Sequence, residues 1–105
     1  MKESVVAEIK IVPLGIGTTS LSRYVAACLD RIKGEGDIKY QLTPMGTVLQ
    51  GPLKRVLELA QELHELPFSQ GVDRVLTTIN IDDRRDKVIT MESKVKAVNE
   101  ASAGG

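Results

Sequence analysis

In residues 5–13, Val5, Ala7, Ile9 and Ile11 alternate with Val6, Glu8, Lys10 and Val12, a period of two that predicts a strand with one apolar face and one mixed face. Pro13 is expected to end its ladder. Leu14-Gly15-Ile16-Gly17 then reads as a flexible connector into Thr18-Thr19-Ser20, any of whose hydroxyls can cap a helix. The period changes there, and Leu21, Val25, Cys28, Leu29 and Ile32 keep one helical stripe that Gly34 and Gly36 close. Residues 37–43 and 47–51 form two arms around Thr43-Pro44-Met45-Gly46-Thr47, a tight hairpin in which Pro44 pre-sets φ and Gly46 accepts a positive one. Gly51-Pro52 opens a second helix, with Leu53, Val56, Leu57, Ala60, Leu63 and His64 at helical spacing, and Pro67 is expected to end it. A fourth strand over residues 72–81 carries Val75, Thr77, Ile79 and Ile81 on one face. After Asp82-Asp83-Arg84-Arg85, a third helix is expected from near Asp86, with Asp83 or Asp86 as its cap. Val88, Met91, Val95 and Val98 give it a narrow stripe suited to docking, and residues 101–105 read as a frayed tail.

Strand, helix, strand, strand, helix, strand is the order of an α+β, ferredoxin-like βαββαβ sandwich with a four-stranded antiparallel sheet, here followed by a C-terminal helix. Residues 1–100 are then a single domain. Ile9, Ile11, Val25, Leu29, Leu57, Leu63, Val75 and Ile79 are its expected core. In this topology one rim gathers residues 15–20, the hairpin turn 43–47, and the end of the second helix near His64 and Phe68. The other rim gathers residues 34–37, Gly51-Pro52 and the charged run 82–87. The sheet face away from the two main helices carries Val6, Glu8, Lys10, Val12, Arg74, Leu76, Thr78 and Asn80, a mixture that is naturally buried against another subunit.

Composition narrows the functional classes. Fourteen Lys and Arg balance fourteen Asp and Glu in 105 residues, so there is no basic footprint for nucleic acid or for an acidic membrane surface. Aromatic residues make up 3%, too few for base stacking. The single cysteine, Cys28, forms no intrachain disulfide, and neither a secretory leader nor a membrane span is apparent, so a cytoplasmic location is the expectation.

Candidate chemistry is sparse. Gly15-Ile16-Gly17 lacks the third glycine of a dinucleotide fingerprint and the Gly-Lys-Ser/Thr ending of a P-loop. With one histidine and no motif locating a nucleophile, no catalytic pair stands out, and no cofactor or metal is expected. The first rim instead combines hydroxyls, a methionine, an imidazole and helix N–H groups, the ingredients of a small-molecule site. Each has a plainer reading: Thr18 and Ser20 as caps, His64 as a packing histidine, Met45 as apolar filler.

The strand ending Ile11-Val12-Pro13, the run Ser20-Leu21-Ser22-Arg23-Tyr24-Val25, the block Leu42-Thr43-Pro44-Met45-Gly46-Thr47, Arg74-Val75-Leu76-Thr77, and Asp82-Asp83-Arg84-Arg85-Asp86-Lys87 with Met91 and Lys94 together resemble the YkoF-like thiamine-binding protein family, in its small single-domain branch. The resemblance spans residues 5–98. It implies a ferredoxin-like fold, assembly into dimers and tetramers built as dimers of dimers, and binding of thiamine or its hydroxymethylpyrimidine portion. It thereby implies a non-enzymatic carrier or sensor, the alternative being a structural or regulatory homo-oligomer that binds another metabolite or none. In the better-understood branch two such modules share one chain, and here separate subunits would supply the second. An aminopyrimidine needs donors and acceptors, which Thr18, Ser20, Thr43 and Thr47 offer, with Met45 or Tyr24 against its ring face and His64 beside it. Glu65 is the nearest carboxylate to that rim by topology.

Overall fold

The structure, a computed structural model, describes residues 4–18 and 20–104. The elements follow the order β1 (Ser4–Leu14), α1 (Ser22–Ile32), β2 (Lys39–Thr43), β3 (Gly46–Pro52), α2 (Leu53–Ser69), β4 (Arg74–Asp82) and α3 (Met91–Gly104). The strands form one antiparallel sheet in the order β2-β3-β1-β4, with α1 and α2 on one face, which is the ferredoxin-like arrangement. No helix among the described residues is long and apolar enough to cross a membrane.

The register sets the shape of the sheet. β1 pairs with β3 from Ser4↔Pro52 to Ile9↔Thr47, but with β4 from Val6↔Asp82 to Leu14↔Arg74. Beyond Ile9, therefore, β1 has a partner on only one flank. Pro13 sits inside the strand opposite Val75 instead of ending it, because a proline without an N–H is tolerated where one edge is open.

Val5, Ala7 and Ile9 of β1, Leu49 of β3, Cys28 and Ile32 of α1, and Val56, Leu59, Ala60 and Leu63 of α2 form the core. Each large side chain buried there contributes about 1.5–3 kcal/mol. Of the residues expected inside, Ile9 and Leu63 are buried, and Ile11 and Ile79 pack partly against the cluster. Val25, Leu29 and Val75 are half-buried. Leu57 is 46% exposed, which corrects its assignment to the core. The inward stripe of α2 is Val56, Leu59, Ala60, Leu63 and Pro67, and Leu57 lies about 100° around the helix from Val56. At Gly51 the β2 entry presses so closely on β3 that a Cβ would lie 2.6 Å from Ile38 Cδ1 and 2.8 Å from the Asp37 carbonyl oxygen, so glycine is required.

Three helix ends differ from the sequence expectation. α1 starts at Ser22 with Leu21 as N-cap and no side-chain cap, so neither Thr18 nor Ser20 caps it, and Thr19 lies outside the described residues. The hydroxyls serve the loop itself: the Ser20 N–H donates to Thr18 Oγ1 at 3.1 Å, and the Ser20 and Ser22 hydroxyls lie 3.4 Å apart. α2 continues past Pro67 to Ser69, since a proline in the last turn removes only one helical hydrogen bond. α3 begins at Met91, not near Asp86, because Thr90 and Ser93 cap it reciprocally: Thr90 Oγ1 accepts from the Ser93 N–H and Ser93 Oγ from the Thr90 N–H, both at 2.9 Å. Asp86 and Asp83 instead hold Arg84 and Arg85, and the helix runs on through residues 101–104, where a tail was expected.

An ion-pair lattice ties the closed end of the helical layer. Arg31 of α1 reaches Glu35 at 2.6 Å and also pairs with Glu62 of α2, while Arg55 of α2 reaches Glu35 at 2.7 Å and both Asp37 and Glu58 at 2.9 Å. Hydrogen bonding from Arg31 holds the Glu35 carboxyl below its ordinary pKa, and the charges of Arg31 and Arg55 act in the same direction against the partial loss of hydration.

Two predictions follow from this packing. Leu59→Ala should cost about 2–5 kcal/mol in urea denaturation and Leu57→Ala less than about 1; comparable losses would mean that the buried stripe of α2 is misplaced. Because the folded Glu35 pKa is lowered, its stabilisation is present above the unfolded glutamate value of about 4.3 and disappears as pH falls through the folded value. Melting temperatures measured across that acid range should fall less steeply in Glu35→Gln than in the parent, and parallel curves would remove Glu35 from the acid response.

Candidate functional site

The unequal strand lengths leave a notch. The hairpin turns over at Pro44 and Met45 while β1 continues from Lys10 to Leu14, so alternate peptide groups on that edge of β1 have no ladder partner. α1, which packs most extensively on α2, faces the hairpin across this notch. The space between them is a groove of about 620 Å³, within the range of small-molecule sites. Leu21 at the N-cap of α1 and Val25 and Leu29 within it form one wall, Leu42, Pro44 and Met45 of the hairpin the other, and Ile9, Ile11, Thr47 and Leu63 the floor.

Thr43 builds the hairpin wall. Its hydroxyl donates to the Gly46 carbonyl oxygen at 2.9 Å and accepts from the N–H groups of Gly46 and Met45 at 3.1 and 3.3 Å. Its hydrogen-bonding capacity is thus used inside the turn. The turn lies close over β1: a Cβ at Gly46 would stand 3.0 Å from the Ile9 carbonyl oxygen, so the absence of a side chain lets the end of the hairpin settle on the strand.

Thr47 differs. It is 8% exposed, lines the groove, and its side chain makes no hydrogen bond among the described residues. Its hydroxyl, the open β1 edge, Lys10 and Ser22 are the polar features of a cleft that is otherwise mainly apolar. Met45 is 68% exposed at the mouth, where a flexible thioether can fold over a ring. Tyr24 is buried on the inner face of α1, its hydroxyl accepting from Arg23 Nη2 at 2.8 Å, with the guanidinium 4.8 Å from the ring centroid. Cys28, one turn further along, lines the same groove, and burial pushes its thiol pKa up.

Four of the residues singled out from the sequence, Tyr24, Thr43, Met45 and Thr47, therefore meet in one groove. Thr18 and Ser20 are exposed in the connector before α1 and are not part of its lining. His64 stands on another flank, its Nδ1 2.7 Å from Thr77 Oγ1 and its ring edge-on to Phe68 at 5.5 Å. Glu65 borders a separate surface depression with Arg31 and Arg55. Val25 and Leu29 read as core from their spacing, because a helical stripe does not reveal whether it meets a sheet or a cavity. The missed signal was arm length: the hairpin's strands, at 5 and 7 residues, cannot cover an 11-residue β1.

Comparison with known proteins places this groove in context. The sequence profile of the family described as "Thiamine-binding protein" matches residues 7–99. The UPF0045 protein YqgV of Bacillus subtilis is 48% identical over 97 residues, covering 90% of this chain and 93% of the relative. The crystal structure of the hypothetical protein MJ1052 from Methanocaldococcus jannaschii superposes with a TM-score of 0.85 at 41% identity, covering 93% of this chain and 98% of the other. A Thermotoga maritima protein with a proposed role in thiamine biosynthesis or salvage superposes with a TM-score of 0.74 at 25% identity, covering 90% and 98% of the two chains.

Proposed function

The chain belongs to the thiamine-binding protein family, and from that premise we propose that it is a non-enzymatic binder of thiamine or of its hydroxymethylpyrimidine portion, acting as a carrier or sensor. The observation that carries this reading is the groove: a largely apolar cleft of about 620 Å³, with the Thr47 hydroxyl and the unpaired edge of β1 at its base. An aminopyrimidine has that complementarity. Its faces are apolar, and its edge alternates ring-nitrogen acceptors with amino donors, as the peptide groups of an open strand do. Tyr24 and Met45 supply contacts for the ring, and Thr47 a hydrogen bond to its edge.

Assembly is the second part of the proposal. α3 touches the sheet mainly through its first turn, where the Met91 N–H donates to Gln50 Oε1 at 2.9 Å and Lys94 pairs with Asp82. Val88 before α3, Val95 and Val98 on it, and Leu76 on the outer sheet face are at least half exposed. Burying these valines and Leu76 against other copies of the chain would give a homo-oligomer, a tetramer built as a dimer of dimers. The alternative role, a structural or regulatory homo-oligomer with another metabolite or none, draws on this same surface.

Isothermal calorimetry should detect binding of hydroxymethylpyrimidine or thiamine. Thr47→Val, which keeps the volume and removes the hydroxyl, should weaken it by about 0.5–1.5 kcal/mol with the fold intact. No heat from either compound at saturating concentration would overturn the thiamine reading. Light scattering should give a mass several times 11.4 kDa, and Leu76→Lys should shift it downward; a monomer at micromolar concentration would remove the assembly.

A further inference from the structure

We propose that Tyr24 is a partition that sets the length of ligand the groove admits, by closing off a second cavity behind it. The proposal deepens the binding reading above and rests on it. The second cavity has a volume of about 520 Å³ and lies between the end of β1 and the α2–β4 connection, with Gly15, Ile16, Gln70, Asp73 and Arg74 in its lining. Among the described residues, Tyr24 is the one side chain that lines both this cavity and the groove.

The two chambers differ in chemistry. The groove is walled mainly by leucine, valine, proline and methionine, with Lys10 on the β1 side, whereas the second cavity offers the Asp73 carboxylate, the Gln70 amide, the Arg74 guanidinium and the peptide groups of Gly15 and Gly71. A ring fits the first, and a polar group with both donors and acceptors fits the second. With Tyr24 in its observed position the chambers are separate, and a ligand longer than one ring has to leave its remainder at the mouth beside Met45. Turning or shortening Tyr24 joins them, so that a two-part molecule lies along the inner face of α1.

Arg23 latches the partition. Its guanidinium both donates to the Tyr24 hydroxyl and covers the ring, while Arg23 itself is on the exposed side of the helix. A latch held by one surface arginine can open without disturbing the core, which lies deeper, around Leu49, Leu59 and Leu63.

Cys28 provides a readout independent of the natural ligand, being the chain's sole cysteine and lining the groove one helical turn from Tyr24. The experiment compares labelling of Cys28 by methyl methanethiosulfonate and by a biphenyl methanethiosulfonate in the parent, Tyr24→Ala, Tyr24→Leu and Arg23→Met. The partition predicts that Tyr24→Ala and Tyr24→Leu accelerate the biphenyl reagent by at least about tenfold and the methyl reagent by no more than about threefold, with Arg23→Met intermediate. Equal acceleration of both reagents, or of neither, would overturn it. Tyr24→Leu keeps an apolar side chain in place should Tyr24→Ala fail to fold. Calorimetry on the same proteins separates the two ideas: the variants should gain affinity for two-ring thiamine relative to single-ring hydroxymethylpyrimidine. Size-selective labelling without binding of either compound would sink the thiamine reading and leave the partition standing. Binding of both with unselective labelling would do the reverse.

Discussion

The last rung between β1 and β3, Ile9↔Thr47, is the constraint on which the site depends. Above it the sheet loses its hairpin flank because β2 and β3 are shorter than β1, and the Thr43 hydroxyl fixes where the hairpin turns by bonding to three backbone groups around it. A longer hairpin would pair the open edge of β1 and fill the groove with ladder. A looser turn would let its walls move. The polar floor of the site is thus an unfinished part of the secondary structure, and its most adaptable contact, Met45, is placed at the turn.

The helical layer is arranged to leave this space open. At the far end, Arg31 and Arg55 bridge α1, the loop after it and α2 through Glu35, Asp37, Glu58 and Glu62. Such pairs are partly exposed, and singly each is worth little. Their joint effect is to fix one end of α1 against α2, next to the core residues Ile32 and Ile38. The other end of α1 has no side-chain cap and meets the connector carrying Gly15 and Gly17. α1 is thus closed and ionic at one end, and uncapped and glycine-flanked at the other.

α3 belongs to a different problem. Its start is well specified by the reciprocal Thr90–Ser93 cap and the buried Ile89, yet its later valines face water in the single chain. That uncovered apolar stripe and the mixed outer sheet face are the surfaces on which the proposed assembly draws.

Periodicity determined the order of elements and the faces of β1 and β4, because a backbone's alternation and a helix's repeat write themselves directly into residue spacing; the hairpin was legible in its turn residues, although Gly46 does not take the positive φ expected of it. Membership of the right family was likewise legible, in the Thr43–Thr47 block and the charged run before α3. Boundaries set by competition were not. Whether Thr18, Ser20 or Thr90 caps a helix depends on which other partners its hydroxyl finds, and whether Pro13 ends a strand depends on how many neighbours that strand has. Leu57 and Leu59 are equally apolar, and only the seat of α2 on the sheet decided which is inside. The same holds for the site: four chosen residues, Tyr24, Thr43, Met45 and Thr47, converge because the hairpin stops short of β1, whereas Thr18, Ser20 and His64 share their rim but not their cavity. A rim is fixed by topology, which sequence order carries; a cavity is fixed by what fails to pack, which only the assembled tertiary structure reveals.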